Sequence, residues 1–142
     1  MMKTRNGFDY AFNAQAVVDE TSQVALAGEV TDEAGDVASS VVGMIENTVE
    51  NLAAAGIDGA PDKLLADAGY CSEDNLVAAE DLNPDVLVAT GRQRRGEKFQ
   101  KTPRGPVPKG ATRREKMARR LRTKKGRADY ARRRAIVEPA FR

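Results

Sequence analysis

The chain has 142 residues, with 23 Lys/Arg, 21 Asp/Glu, one Cys, no His and a formal net charge of +2. That length suffices for one domain with a real core, and no stretch approaches the roughly 18 to 20 continuous apolar residues of a membrane span. Without imidazole the usual Ser-His-Asp triads and most zinc sites are excluded, so any metal chemistry must use carboxylates, which favours Mg²⁺ or Mn²⁺.

The N-terminus, Met1 to Gly7, lacks the apolar h-region of a signal peptide. Residues 10–19 alternate as a strand, with Tyr10, Phe12, Ala14, Ala16 and Val18 on one side. Residues 23–31 do the same with Val24, Leu26, Gly28 and Val30, and Asp19-Glu20-Thr21-Ser22 supplies a polar turn. This pattern predicts a β-hairpin, with Gly28 a weak point or bulge. Val37, Val41, Val42, Ile45, Val49, Leu52 and Ala53 then recur at helical spacing. Asp36 suits the N-cap of that helix and Gly56 the position that ends it.

Residues 63–67 form a short apolar run closed by Asp67, with Gly69 and Tyr70 following. Such runs read as buried strands. An Asp at a strand exit stands where ligands and metals commonly bind, yet Asp and Gly also open ordinary turns. Ser72 can cap a short helix whose packing face would be Leu76, Val77, Ala79 and Leu82, with Asn83-Pro84 ending it. Residues 85–90, with Val86, Leu87 and Val88, read as a parallel strand reached by a right-handed crossover. Between the two strands, the lone Cys71 cannot close an internal disulfide, which fits a reducing cytoplasm.

At Gly91 the composition changes. Up to Thr90 there are 3 Lys/Arg against 17 Asp/Glu, a net of −14; from Gly91 onward there are 20 against 4, a net of +16. Residues 91–110 hold four Gly, three Pro and seven Lys/Arg, and read as a mobile basic loop. Thr112-Arg113-Arg114-Glu115 matches the capping box. The helix it opens, to about residue 122, would turn Met117, Ala118 and Leu121 inward and Arg113, Arg114, Arg119 and Arg120 mostly outward. Residues 123–126 read as a polar break before a last helix over 127–137. Pro139 biases Glu138 away from helical geometry, so a kink or end is expected there.

The basic segment points to a polyanion such as DNA, because Lys and Arg release counterions from phosphates. The candidate contacts are Arg92, Arg94, Arg95, Lys98, Arg113, Arg114, Arg119, Arg120, Lys124, Lys125, Arg127, Arg132, Arg133 and Arg134. A solvated basic surface that compensates the acidic half is the competing reading. Coupled to a His-free fold, DNA binding suggests phosphoryl transfer by two carboxylate-held ions about 3.5–4 Å apart. Asp67 is one candidate ligand; Glu138, an acid in a basic and partly apolar stretch, is a second. Glu138 could equally be a surface acid paired with a neighbouring Arg.

Several stretches together resemble bacterial insertion-sequence transposases of the DDE class. They are Met2 to Gly7, Asn13 to Asp19, Leu65-Ala66-Asp67-Ala68-Gly69-Tyr70 with Ser72 to Asn75, Ala89 to Gln93, and Leu121 to Lys124 through Gly126-Arg127 to Val137-Glu138-Pro139-Ala140-Phe141. The resemblance implies an α/β fold, an incomplete ribonuclease-H-like domain. Its mixed sheet would combine the antiparallel hairpin with the parallel strands, and a basic helical C-terminal arm would follow. It implies a core over 1–90, a basic flexible loop over 91–111 and a basic helical segment over 112–142. Asp67 matches the second catalytic, metal-ligating carboxylate of the family and Glu138 the third, with Mg²⁺ or Mn²⁺ as cofactor. Asn13, Gln15 and Asp19 match hairpin positions without an implied catalytic role.

The implied partners are DNA, at transposon ends, and further copies of the transposase, with no membrane. The first catalytic Asp of the family would lie on a strand before the segment resembling Met2 to Gly7. The expectation is therefore a transposase fragment that is inactive alone. The alternatives are a non-catalytic nucleic-acid-binding protein using the basic arm, and a chain that folds poorly.

Overall fold

A computed structural model describes residues 2–4, 7–10, 12–32, 41–91 and 101–141. Strands β1 (Met2–Thr4) and β2 (Gly7–Asp9) form a short antiparallel ladder that residue patterning does not foresee, since three residues are too few for alternation to register. The expected hairpin is present as β3 (Asn13–Val18) and β4 (Ala25–Thr31), in antiparallel register from Asn13 opposite Thr31 to Val18 opposite Ala25. The irregularity in this ladder falls between Val17 and Val18, opposite Ala27 and Ala25, and not at Gly28. Asp19 builds the turn: Oδ2 accepts from the Thr21 and Ser22 N–H groups at 3.0 and 2.6 Å and from the Ser22 hydroxyl at 2.7 Å. The Ser22 main-chain and hydroxyl bonds hold the Asp19 carboxyl below its ordinary value.

The hairpin's inward face differs from the aromatic side of the pattern. Tyr10 and Phe12 precede β3 and are 88% and 77% exposed, and Val30 is 66% exposed. Gln15 and Ala27 point inward instead. Apolar residues lie on both faces, so alternation alone did not fix the direction. A polar Gln can take the inner face because it has a partner: its Oε1 accepts from the Tyr70 hydroxyl.

Helix α1 (Val41–Ala54) buries Val41, Met44, Ile45 and Thr48, one face at spacings of three and four. The buried Thr48 hydroxyl donates to the Met44 carbonyl at 2.7 Å. The helix stops at Gly56, whose φ of 76° suits glycine. There Ile57 N–H donates to Leu52 O and Gly56 N–H to Ala53 O, both at 2.9 Å, the paired bonds of a Schellman motif. The expected cap Asp36 lies outside the described residues.

Strand β5 (Lys63–Ala66) runs parallel to β6 (Asp85–Val88), in register from Lys63 opposite Asp85 to Ala66 opposite Val88. A 3₁₀ turn (Ala68–Tyr70) and α2 (Glu73–Glu80) connect them. Ser72 caps α2 as expected, its hydroxyl accepting from Asn75 N–H at 3.1 Å. The helix ends at Glu80, short of Asn83-Pro84, and Val77 faces solvent while Leu76 is buried. The core gathers Val41 and Ile45 from α1, Ala66, Val86 and Val88 from the parallel pair, and Leu76 from α2. Leu87 and Val88 are fully buried, and such side chains each stabilise by about 1.5–3 kcal/mol.

The hairpin and the parallel pair are separate two-stranded ladders among the described residues, not the one mixed sheet expected.

The basic segment folds as α3 (Arg113–Leu121), α4 (Lys124–Ala131) and α5 (Arg133–Val137), followed by a 3₁₀ turn (Glu138–Phe141). The capping box is complete: Glu115 N–H donates to Thr112 Oγ1 at 3.2 Å and Thr112 N–H to Glu115 Oε2 at 2.8 Å. Met117 reaches the core from α3. The polar break shrinks to a corner, because Thr123 caps α4 by accepting from Gly126 N–H at 3.0 Å, so helix resumes at Lys124 rather than Arg127. Glu138 keeps right-handed helical angles (φ −57°, ψ −39°) despite Pro139, and the chain tightens there from α to 3₁₀. Of the basic loop, residues 101–110 carry no helix or strand. Arg119 donates to the Arg104 and Gly105 carbonyls, and Arg127 to the Thr102 hydroxyl. No helix among the described residues is long and apolar enough to cross a membrane.

Candidate functional site

The exit of β5 is built so that Asp67 serves two purposes. Its extended backbone (φ −82°, ψ −178°) leaves the strand, and its Oδ1 accepts from Gly69 N–H at 3.0 Å, capping the 3₁₀ turn. Its Oδ2 accepts from the Arg133 guanidinium at 3.1 Å. The turn reading and the site reading of Asp67 are thus compatible. The side chains of this pair are 45% and 25% exposed, and both line a cleft of about 730 Å³.

That cleft runs along β3 and β5, with Leu26 of β4, Val41 and Met44 of α1, and Asp129, Arg132, Arg133, Ile136 and Val137 of the helical arm among its walls. Ion pairs tie the arm to the walls: Asp129 with Lys63, Arg132 with Glu20 and Arg133 with Asp67. The Lys63 hydrogen bond holds the Asp129 carboxyl below its ordinary value, helped by Lys125 and Arg132 and opposed by burial. Gln23 Nε2 also reaches the Ala135 carbonyl at 3.2 Å.

Two further groups stand near Asp67, Tyr130 without a sequence signal and Asn75 at the end of the matched stretch Ser72 to Asn75. Tyr130, on α4 among charged neighbours, donates its hydroxyl to the Ala66 carbonyl at 3.0 Å. Burial raises its phenol above the ordinary value, Asp67 adds to the shift and Arg133 opposes it. Asn75 is buried: its Oδ1 accepts from Val41 N–H and its Nδ2 donates to the Tyr70 carbonyl, both at 3.2 Å. Gln15, Tyr70 and Asn75 therefore chain β3, the turn after Asp67, α2 and the start of α1 together.

Glu138 stands apart. It is exposed, pairs with Arg134 at 3.5 Å, and is absent from the cleft walls to which its neighbours Ile136 and Val137 belong. Among the described residues no three His, Cys, Asp or Glu side chains gather where they could hold a metal ion. With Arg133 already on Oδ2 of Asp67, this arrangement does not fit a pair of divalent ions.

The basic candidates are sorted by their contacts. Arg113 bonds Glu80 at 3.1 Å and Glu73 at 3.5 Å, and the Glu80 bond raises its guanidinium above the ordinary value. Arg114 donates to the Thr90 carbonyl at 2.7 Å, Arg120 to Asp85 and the Val86 carbonyl, and Arg127 to the Arg122 carbonyl at 3.0 Å. With Arg119, Arg132, Arg133 and Arg134, all eight described Arg candidates have acceptors within the protein. Lys124 and Lys125 are exposed at the start of α4. Arg92, Arg94, Arg95 and Lys98 lie outside the described residues.

No curated protein and no solved structure is significantly similar to the chain. A protein-family comparison, by contrast, matches residues 2–142, essentially the whole sequence, to the transposase DDE domain. A chain with Asp67 on a cleft wall at its strand exit, matched over that full extent, belongs to the transposase DDE domain family.

Proposed function

We propose that this chain is an insertion-sequence DDE transposase domain with a ribonuclease-H-like core, and that it does not cleave DNA alone. The family's reaction is DNA transposition by a metal-dependent nuclease. The observation that carries the reading is the ion pair of Asp67 with Arg133 at the cleft wall. Asp67 is the carboxylate that the family motif marks as catalytic and metal-ligating, and Glu138 is its proposed partner. The family's Mg²⁺ or Mn²⁺ would require Arg133 to release Asp67 and Glu138 to join it. Its proposed partners are transposon-end DNA and further transposase copies, in the cytoplasm at the nucleoid.

A Mg²⁺- or Mn²⁺-dependent nicking assay on transposon-end DNA tests this. No metal-dependent cleavage is expected; robust cleavage abolished by Asp67→Ala would overturn the reading. The second reading, a non-catalytic nucleic-acid binder, is favoured by the exposed Lys124 and Lys125. A salt-dependent DNA shift without cleavage supports it.

A further inference from the structure

Among the described residues, Gln23 is the only one other than glycine with a positive φ, 57°. It closes the hairpin turn: its N–H donates to the Asp19 carbonyl at 3.0 Å, and the Asp19 N–H donates to the Val24 carbonyl at 2.9 Å. Gly and Asn take this left-handed conformation most readily, but neither has the reach of a Gln side chain. Gln23 uses that reach. Its Nε2 donates to the Ala135 carbonyl of α5, 112 residues away, at 3.2 Å.

That carbonyl is short of a donor for a reason written in the sequence. In an α-helix each carbonyl accepts from the N–H four residues on. The Arg132 carbonyl accepts in this way from Ile136, and the Arg134 carbonyl from Glu138. Ala135 meets Pro139 at that spacing, and proline has no N–H. Gln23 therefore supplies the donor that the helix cannot. From the same turn Glu20 pairs with Arg132, three residues before Ala135 and on the same helix face. Arg133, next to it, carries the bond to Asp67. The arm depends on such contacts here: α5 buries no residue and α4 buries Gly126, whereas α3 is anchored by Met117 against the core.

We propose that Gln23 is a positioning residue for Asp67. By holding the Ala135 carbonyl it seats α5 over the cleft, keeps Arg133 on the carboxylate and limits access to it, and Glu20 shares the task. The left-handed turn is then the conformation that aims this side chain at the arm. The inference rests on these contacts and stands whether or not the chain cleaves DNA.

The test uses the full chain and two readouts, neither of them activity. One is labelling of Asp67 by a water-soluble carbodiimide with an amine, read by mass spectrometry; the other is amide exchange at Ile136 and Val137. Arg133→Met sets the labelling of an Asp67 that is no longer held. Gln23→Gly suits the turn but removes the donor. The hairpin amides should keep or gain protection, while Asp67 labelling and exchange at Ile136 and Val137 rise about threefold to tenfold. An Asp67 that labels at the parent rate in either variant overturns the proposal. So does a rise that spreads equally to the amides of α1 and β6, which would make Gln23 a general stability residue. Pro139→Ala gives the Ala135 carbonyl a donor of its own. On that background Gln23→Gly should change Asp67 labelling by less than about twofold, and an undiminished effect would refute the match between Gln23 and that carbonyl.

Discussion

Arg133 donates to Oδ2 of Asp67 at 3.1 Å across 66 residues of sequence, so the carboxylate singled out by its strand-exit motif is held by the basic arm. Both side chains keep some solvent contact, and ion pairs of this kind contribute about 0.2–1 kcal/mol. A double-mutant cycle with Asp67→Asn and Arg133→Met, read by urea unfolding, should therefore give a coupling below about 1 kcal/mol. A coupling of several kcal/mol would mean that the pair holds the arm to the core, not merely that it orients Asp67.

Gly126 tests the corner between α3 and α4. A Cβ there would stand 2.1 Å from the Arg120 carbonyl oxygen and 2.9 Å from its carbon, both main-chain atoms. Alanine gains about 1 kcal/mol of helix propensity over glycine, but overpacking costs about 1–3 kcal/mol. The Arg120 carbonyl also receives the Thr123 hydroxyl at 2.7 Å, so displacing it disturbs the cap as well. Gly126→Ala should lower the thermal midpoint despite the propensity gain, and a raised midpoint would contradict the close approach.

Acid should loosen the arm. The folded state favours ionised Asp129, whose carboxyl is held below its ordinary value of about 3.8 chiefly by the Lys63 bond. A depressed folded value means stability fully present above the unfolded value and lost as pH falls through the folded one. The stability gap between the parent chain and Asp129→Asn should be constant near neutrality and close below about pH 4. Urea midpoints measured from pH 7 to pH 3 give the comparison.

DNA binding should separate the lysines from the arginines. Lys124→Ala and Lys125→Ala should weaken binding evenly across sequences, each reducing the salt slope by about 0.9. Arg113→Ala should act chiefly on stability, because its guanidinium is bound to Glu80 and Glu73. Fluorescence anisotropy over a salt series, beside thermal melts, distinguishes the two effects.

Local chemistry was readable from the residues where one turn of chain decides the outcome. The capping box at Thr112, the Ser72 cap and the Gly56 stop need only neighbouring residues. The strand at Lys63–Ala66 and its partner at Asp85–Val88 followed from short apolar runs. What depended on distant partners was not readable. Gln15 turns inward because Tyr70 meets it, and Arg133 reads as a DNA contact because nothing local ties it to Asp67. Thr123 reads as a polar break in the sequence, and only its bond to Gly126 N–H moves the start of α4 forward to Lys124. The motif marks Asp67; the partner on its second oxygen, Arg133, has no local mark.

The arm also changes how the division of charge works. A Lys or Arg that meets phosphate from free solution gains by releasing small ions. An arm whose described arginines already have acceptors within the protein has given much of that up. The acidic half acts as a tethered counterion to Arg113, Arg120, Arg132 and Arg133. A polyanion meeting those four side chains would have to displace Glu73, Glu80, Asp85, Glu20 and Asp67 from them.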